Sequence, residues 1–266
     1  MNLKHQIYTD DDIIRNIDVP DLDYHYREYE KKMNTAKIIA YTQPIISANG
    51  NLDIGAEPMS VDEFIAYVAR VSNPSNQNNT LTAPKLLKYL AKHKHWSPFE
   101  MVDIVMEINT TRDIGRQILR HRSFSFQEFS QRYADPTKDM GFVTREARLQ
   151  DEKNRQNSIA ISPAESEIYN MLVDEWEAQQ AAVLDQARIA YVWAIQNGIA
   201  KEQARAVLPE GLTMSRMYMK GSLRSWIHYC QVRMDPATQK EHRDIATDAW
   251  YEITKVFPSL KDALDI

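Results

Sequence analysis

The sequence predicts an α+β fold, and three observations support this. Segments with helical periodicity outnumber strand-like segments, strands and helices do not alternate as βαβ units would, and capping signals mark several helix starts. Of the 266 residues, 43% are hydrophobic, which is enough for a sizeable core. Residues 37–266 are predicted to form a single domain. Residues 1–36 are charged and aromatic without a clear period, and are predicted to be an N-terminal extension.

The first predicted elements are a strand, two helices and a second strand. AKIIAYTQPII (36–46) is strand-like, Ser60 and Glu63 form a capping box that opens a helix, and TAPKLLKYLAKH (82–93) is a helix with Pro84 near its start. In FEMVDIVMEIN (99–109) apolar and polar residues alternate. This alternation predicts a strand whose buried face is formed by Val102, Ile104, Met106 and Ile108.

Helices dominate the rest of the chain. Thr110 is predicted to cap a helix that runs toward His121, and the polar residues 137–162 predict a long surface excursion. A capping box at Ser162 and Glu165 opens the longest helix, which Gly198 can end in a left-handed conformation. The remaining predicted elements are a short helix at 201–208, a strand at 213–220, a helix at 222–233, and a final helix that Asp235-Pro236 opens and that runs through Ile253.

The composition narrows the functional class. The formal charge of −5 argues against broad binding to nucleic acid. The single cysteine, Cys230, excludes an internal disulfide and indicates a reducing compartment. The N-terminus lacks the apolar core of a signal peptide, and no apolar run approaches the about 18 residues of a membrane span, so we expect a soluble, cytoplasmic protein with no membrane partner. None of the glycines lies in a G-x-G-x-x-G or G-K-S/T motif, so side-chain cations would have to hold any nucleotide.

Basic residues concentrate in and just before RHRSFSFQEFSQRYAD (120–135). Arg112, Arg116 and Arg120 are spaced i, i+4, i+8 and would share one helical face, with Gln117 and His121 on the adjoining flank. A solvated helix end, where arginines are favoured by the helix dipole, is one explanation for Arg112 and Arg116. For His121, a capping role at this end of the helix is the alternative explanation.

Farther along the same stretch, an acid, a hydroxyl and a guanidinium alternate. Glu128, Ser130 and Arg132 would lie on one face of an extended segment. Arginine forks around phosphate, and serine and glutamate supply further hydrogen-bonding groups. The cluster therefore suggests a pocket for a phosphorylated heterocycle, with a structural ion-pair network as the alternative.

The spacing of this cluster resembles a known family signature. Arg120, His121, Arg122, Ser125, Ser130 and Arg132 fit R-H-R-x-x-S-x-x-x-x-S-x-R, the signature of flavin-dependent thymidylate synthases. KHWSPFEM (94–101), ARAVLPEG (204–211) and GSLRSWIHYCQVR (221–233) are similar to further segments of that family, in the same order. The resemblance covers the chain from about Val68 to the final helix. It implies the family's fold, a central antiparallel sheet flanked by helices that include one long helix.

The resemblance also implies an activity. Members of the family convert dUMP to dTMP with the one-carbon unit of 5,10-methylenetetrahydrofolate and a hydride that passes from NADPH through FAD. They work as homotetramers whose sites combine several subunits. The resemblance therefore implies that residues 37–266 are a catalytic domain, that FAD is the cofactor, and that NADPH and the folate are co-substrates.

Residue roles follow from the matched positions. The resemblance assigns contacts with FAD to His95, Ser97, Arg120, His121, Arg122, Glu128, Ser222, Arg224 and His228. It assigns contacts with dUMP to Gln117, Arg120, Glu128, Ser130, Arg132, Arg205 and Arg233, with Arg205 coming from a neighbouring subunit. Arg233 is the implied catalytic residue, because a cation beside N3 and O4 of the pyrimidine favours ionisation at N3 and makes C5 more nucleophilic.

Several alternatives remain at this stage. Cys230 lies on the apolar side of its helix and is expected to pack rather than to act as a nucleophile. His242 and His93 have only a packing role, and no spacing of His, Cys, Asp and Glu indicates a metal site. A nucleotide sensor without turnover and a nucleic-acid binder that uses the arginine-rich helix are the competing functions.

Overall fold

A computed structural model describes residues 34–52, 56–162, 167–261 and 263–264. In those ranges the strands are β1 (Thr35–Tyr41), β2 (Asp103–Thr111), β3 (Ser125–Glu128), β4 (Arg148–Gln150), β5 (Ser158–Ala160) and β6 (Met214–Ser222). The helices are α1 (Val61–Ala69), α2 (Ala83–Lys92), α3 (Arg112–Ile118), α4 (Pro136–Asp139), α5 (Glu167–Gln196), α6 (Lys201–Ala204), α7 (Leu223–Arg233), α8 (Lys240–Val256) and α9 (Pro258–Lys261). Short 3₁₀ turns include Ser97–Met101 and Arg205–Val207.

The centre of the described structure is an antiparallel sheet in the order β1-β2-β6-β3. Its middle pair is the longest, because β2 and β6 pair from Asp103↔Ser222 to Thr111↔Met214. The predicted alternation in β2 is confirmed: Ile104, Met106 and Ile108 are fully buried. Since each such side chain stabilises the fold by about 1.5–3 kcal/mol, β2 is the main anchor of the sheet.

Helices cover the apolar face of this sheet. Buried side chains of α1, α2, α7 and α8 share one core with β2 and β6. Trp226 of α7 lies fully buried in that core, and its indole Nε1–H donates to the Ile104 carbonyl at 3.2 Å. This bond fixes α7 against the central strand, which determines where the polar side chains of α7 lie.

Two predicted helix boundaries are confirmed. The Ser60 hydroxyl accepts from the Glu63 N–H while the Glu63 carboxylate accepts from the Ser60 N–H, as a capping box requires. Helix α5 has 30 residues and ends at Gln196, and Gly198 just beyond it has a left-handed φ of 75°. The Ile199 N–H then returns to the Ala194 carbonyl at 2.9 Å, which closes a Schellman motif. The predicted start of α5 falls partly outside the described residues, as does most of the N-terminal extension.

Three predicted boundaries are wrong. Thr110 belongs to β2, where its hydroxyl bonds the Asn34 side chain at 2.7 Å, and the cap position of α3 is Thr111. Helix α3 ends at Ile118, so it stops before Arg120 and His121. Asp235-Pro236 forms a turn closed by the Thr238 N–H on the Asp235 carbonyl, and α8 begins only at Lys240.

Residues 137–162 contain the end of α4 and the exposed hairpin β4–β5. The segment that precedes the hairpin, residues 142–147, is fixed to the core. Val143 is buried, and the Arg145 guanidinium donates to Asp113 at 2.6 Å and to Thr111 at 2.7 Å. This stretch therefore braces the start of α3. Within the described ranges, none of the helices is both long and apolar enough to cross a membrane.

Candidate active site

The signature segment leaves α3 in a turn and returns as β3 beside β6. The His121 N–H bonds the Ile118 carbonyl at 3.0 Å, which reverses the chain, and Ser125 then pairs with Lys220. Arg120 and Arg122 project from the turn and are exposed. Neither guanidinium has a carboxylate partner in the part of the chain that the structure describes. Two uncompensated cations therefore stand side by side at one end of the sheet.

A close approach between Phe124 and Gly221 fixes this turn on the sheet. A Cβ at Gly221 would lie 2.4 Å from the Phe124 ring, so only glycine allows the contact. The same ring packs edge-on against Trp226, with centroids 4.9 Å apart. The exposed cations of the turn are thus carried on a rigid aromatic base.

His121 is coupled to the end of α7. The Arg233 Nε–H donates to His121 Nε2 at 2.9 Å, so the neutral ring carries its proton on Nδ1. Burial, together with electrostatic repulsion from Arg233, His228 and Arg120, lowers the pKa of His121 to about 4. At neutral pH the ring is therefore uncharged, with its Nδ1–H available as a donor.

A buried polar network lies directly behind this pair. Gln117 Nε2 donates to Gln239 Oε1 at 2.8 Å, and Gln117 Oε1 lies 3.2 Å from His242 Nδ1. His242 Nε2 lies 3.1 Å from the Tyr229 hydroxyl. His242 is fully buried, which requires these partners, since a buried polar group without a hydrogen bond costs about 1–3 kcal/mol.

A carboxylate organises the arginines of α3. Glu128 Oε1 accepts from the Ser215 hydroxyl at 3.0 Å and lies 3.5 Å from Arg112, and its Oε2 lies 3.4 Å from Arg116. Glu210 pairs with the same two arginines at 3.4 and 3.6 Å. Arg112 is buried in this cluster. Solvation at a helix end therefore does not explain buried Arg112, whereas Arg116 is exposed. Both belong to an ion-pair network separate from Arg120.

We had expected the signature segment to remain extended as far as Arg132, and this prediction is wrong. Strand β3 ends at Glu128, and the Tyr133 and Ala134 N–H groups bond the Ser130 carbonyl in a turn. Arg132 is exposed and pairs with Glu202 at 3.1 Å. Glu128 and Arg132 therefore lie in different ion-pair clusters, with Ser130 at the turn between them.

The residues at the C-terminal end of β6, next to the signature turn, form a third group. Ser222 caps α7, since its hydroxyl accepts from the Ser225 N–H at 3.2 Å, and it also bonds the Glu100 carboxylate. Arg224 lies 3.6 Å from the same carboxylate. Ser97 begins the 3₁₀ turn that carries Glu100, and His95 lies exposed just before it. The structure thus brings Ser97, Ser222 and Arg224 to adjoining elements around one anion.

His228, Arg205 and Cys230 complete the set. His228 is exposed on α7, close enough to influence the pKa of His121. Arg205 follows α6, whose Lys201 donates to the Tyr133 carbonyl at 3.0 Å, so α6 contacts the end of the signature segment. Cys230 is fully buried, and burial raises the pKa of its thiol far above the usual range. Among the described residues no cluster of His, Cys, Asp and Glu is arranged for a metal ion.

Sequence reasoning missed several residues of this arrangement, among them Glu100, Glu210, Tyr229 and His242. Glu100 and Glu210 lie inside the matched segments 94–101 and 204–211, so their position was a signal, but nothing in the sequence identifies their arginine partners. His242 was expected only to pack. The structure places it in contact with Gln117, a predicted site residue.

The fold and these side chains define a class: an α+β protein in which two adjacent cations, Arg120 and Arg122, have no carboxylate partner among the described residues. Comparison with known proteins specifies the family. Residues 57–259 match the family model of the thymidylate synthase complementing protein, and the chain belongs to this family.

Relatives and solved structures agree with this assignment. The chain is 48% identical over 230 residues to the flavin-dependent thymidylate synthase of Synechocystis sp., covering 86% of this chain and 98% of that protein. It is 43% identical over 231 residues to the probable flavin-dependent thymidylate synthase of Paramecium bursaria Chlorella virus 1, with 87% and 99% covered. The UMP/dUMP methylase PolB from Streptomyces cacaoi, bound with 5-Br dUMP, shares the fold with a TM-score of 0.67 at 22% identity, covering 86% of this chain and 93% of that chain. The predicted fold and family are confirmed.

Proposed function

We propose that this protein is a flavin-dependent thymidylate synthase, an enzyme that methylates dUMP reductively to dTMP. The observation that carries the proposal is the agreement of the family match over 57–259 with the complete R-H-R signature, in which Arg120 and Arg122 have no carboxylate partner among the described residues. FAD is the cofactor, in keeping with the flavin-dependent relatives. We assign the catalytic domain to residues 37–266.

The residues present fit a flavin dinucleotide. Its diphosphate needs cations and hydroxyl donors. Arg120 and Arg122 have no carboxylate partner in the described ranges, and Ser222 and Arg224 already hold an anion, Glu100. The neutral His121 offers its Nδ1–H to the flavin. His95, Ser97, Glu128 and His228 complete the proposed FAD contacts.

The nucleotide is proposed to bind along the signature segment. Ser130 and Arg132 would bind the phosphate of dUMP, for which Arg132 would exchange its exposed partner Glu202. Gln117, Arg120 and Glu128 would contact the same nucleotide. Arg205 would reach it from a neighbouring subunit, and within the described part of the chain no hydrogen bond or ion pair holds its guanidinium.

Arg233 is proposed as the catalytic residue. One guanidinium N–H is committed to His121, and within the described residues no carboxylate neutralises its charge. Its positive charge therefore reaches the surroundings, where it helps to lower the pKa of His121 and of His242. The same charge beside N3 and O4 of the pyrimidine would stabilise the anionic ring and raise the nucleophilicity of C5.

The protein's other contributions are binding and orientation. When bound and reduced by NADPH, FAD would supply the hydride that reduces the transferred one-carbon unit to a methyl group, and would return to its oxidised form. Cys230 takes no part as a nucleophile, because its thiol is buried and stays protonated.

Co-substrates and assembly are further proposals. The carbon donor would be 5,10-methylenetetrahydrofolate and the reductant NADPH, in the cytoplasm, and the active form a homotetramer. One apolar stripe of α5 supports assembly, because its large side chains are exposed in the monomer: Ile168, Met171, Leu172, Trp176 and Val183. Light scattering of the purified protein measures the assembly directly, and a monomeric mass in a sample that turns over dUMP would contradict it.

The activity is tested by following loss of the C5 hydrogen of dUMP. Protein with the visible absorption bands of FAD should release tritium from [5-³H]dUMP only when the folate donor and a reductant are both present. Bound dUMP without any dTMP under several reductants would identify a nucleotide sensor instead. A colourless protein that also fails to bind added FAD would overturn the proposal.

A further inference from the structure

One continuous chain of hydrogen bonds runs from the β4–β5 hairpin to the proposed nucleotide site. Arg148 at the base of the hairpin pairs with Glu241 at the start of α8. Glu241 accepts from Gln239 Nε2 at 2.9 Å. From there the chain continues through the Gln117 amide to His242 and the Tyr229 hydroxyl, at 2.8, 3.2 and 3.1 Å in turn.

The carboxylate of Glu241 sets the direction of every bond in this chain. An ionised carboxylate only accepts, so Gln239 must turn its NH₂ group toward it and its oxygen toward Gln117. Gln117 must then donate to Gln239 and present its own oxygen to His242. His242 consequently donates from Nδ1 and accepts at Nε2 from Tyr229. Reversing one amide would set two acceptors against each other.

We propose that Glu241 is a positioning residue for the reaction: through Gln239 it fixes the orientation of the Gln117 amide and the tautomer of His242. The amide then keeps one Nε2–H and one Oε1 lone pair, in fixed places, for the nucleotide. This inference rests on the proposed function, since the contact of Gln117 with dUMP is part of it.

The surroundings of the chain favour such a role. Glu241 and His242 are buried, so water does not compete for their bonds. Burial, with the charges of Arg233 and His121, lowers the pKa of His242 to about 3, so the ring stays neutral and can both donate and accept. An oriented amide costs no reorganisation when the ligand binds, which is the benefit of preorganised hydrogen bonds.

The test measures the affinity for dUMP of an isosteric variant in which a neutral amide replaces the carboxylate. Glu241→Gln removes the obligate acceptor, so both amides can reverse, and we expect the Kd for dUMP to rise about three- to tenfold in FAD-loaded protein. The KM for dUMP should rise with it, and kcat should fall less. Glu146→Gln is the matched control. The Glu146 carboxylate also lies near Arg148, at 3.6 Å, but it is not part of the chain of hydrogen bonds that leads to Gln117. Its Kd should match the wild type.

A second pair of variants avoids disturbing the Arg148 ion pair. His242→Asn keeps an N–H donor where Nδ1 stands, whereas His242→Leu removes it. We expect the asparagine variant to bind dUMP within about twofold of the wild type and the leucine variant to lose about as much affinity as Glu241→Gln.

The outcomes separate the two proposals. Folded Glu241→Gln and His242→Leu proteins with wild-type Kd values, even if they melt earlier, would show a purely structural role and overturn the inference. If Glu241→Gln fails to fold, the two His242 variants decide, and equal Kd values for them overturn it. Wild-type protein that binds FAD but no dUMP would overturn the proposed function, and this inference with it.

Discussion

Gly221→Ala tests how tightly the signature segment is fitted to the sheet. The added methyl group would lie 2.4 and 2.6 Å from two carbons of the Phe124 ring, well inside contact distance. The ring has little room to retreat, because Trp226 lies 4.9 Å away and Phe126 6.3 Å away by centroid. We therefore expect the ring, and the turn that carries Arg122, to be displaced.

The cost follows from the kind of contact. Overpacking of a well-packed core costs about 1–3 kcal/mol. For a chain of this size each kcal/mol lowers Tm by about 2–4 °C, so we expect a Tm between about 2 and 12 °C below that of the wild type. Thermal unfolding of the FAD-free protein measures this shift. The FAD content of the purified variant, read from its visible absorption, should fall as well.

Gly211→Ala is the matched control. No atom lies within 4 Å of a Cβ at Gly211, so the same change should leave Tm almost unaltered, within about 0.5 kcal/mol of stability. Phe124→Leu in the Gly221→Ala background should recover part of the loss, because the smaller side chain makes room. The steric argument would be refuted if Gly221→Ala had the same Tm as Gly211→Ala. It would also be refuted if the effects of Gly221→Ala and Phe124→Leu on stability were strictly additive.

Three further predictions concern the site. Arg233→Ala should lower kcat by about 100-fold or more while FAD stays bound, since the charge of Arg233 acts on the pyrimidine. The control Arg155→Ala, on the exposed hairpin, should have no effect. The assay is steady-state tritium release, and near-wild-type rates for Arg233→Ala would reject this role. Cys230→Ala should keep most of its activity, and a folded, FAD-loaded but inactive variant would contradict the mechanism. Glu128→Gln should destabilise the protein by about 1–3 kcal/mol, because buried Arg112 loses the less exposed of its two carboxylate partners. Glu210→Gln, at the half-exposed partner, should cost less than about 1 kcal/mol. Equal Tm values for these two variants would show that the buried pair adds no more stability than the exposed pair.

Local signals in the sequence predicted most of the fold. The alternation of β2, the capping box at Ser60 and the left-handed Gly198 depend on neighbouring residues only, and all three are confirmed. The misplaced boundaries depend on tertiary contacts. Thr110 remains in β2 because β6 pairs with it through Ser215, and two adjacent threonines offer the same capping signal.

The resemblance to a family predicted the site residues, but the sequence could not predict their ion-pair partners. Their spacing predicted that Arg112, Arg116 and Arg120 share one helical face. Helix α3 ends at Ile118, so Arg120 lies beyond the helix and apart from the other two arginines. The carboxylates that hold the first two lie on other elements: Glu128 is on β3, and Glu210 precedes β6. Such pairs form across the fold, so a single sequence shows each member without its partner.

The residues of His242's network illustrate the same limit. A lone histidine on the apolar face of a helix is most often packed in the core, and His242 is indeed fully buried there. Its function in the network arises from Gln117 and Tyr229, which are 125 and 13 residues away. The tautomer follows from hydrogen bonds, which only the folded chain provides.

The central claim is that the side chains of 120–132 converge on a flavin and a uracil nucleotide. A crystal structure of the protein with FAD and dUMP tests it most directly. We expect Arg120 and His121 at the flavin, Arg132 released from Glu202 onto the nucleotide phosphate, and Arg233 beside N3 and O4 of the pyrimidine. Both ligands bound elsewhere, with Arg120, His121 and Arg132 turned away from them, would contradict the account.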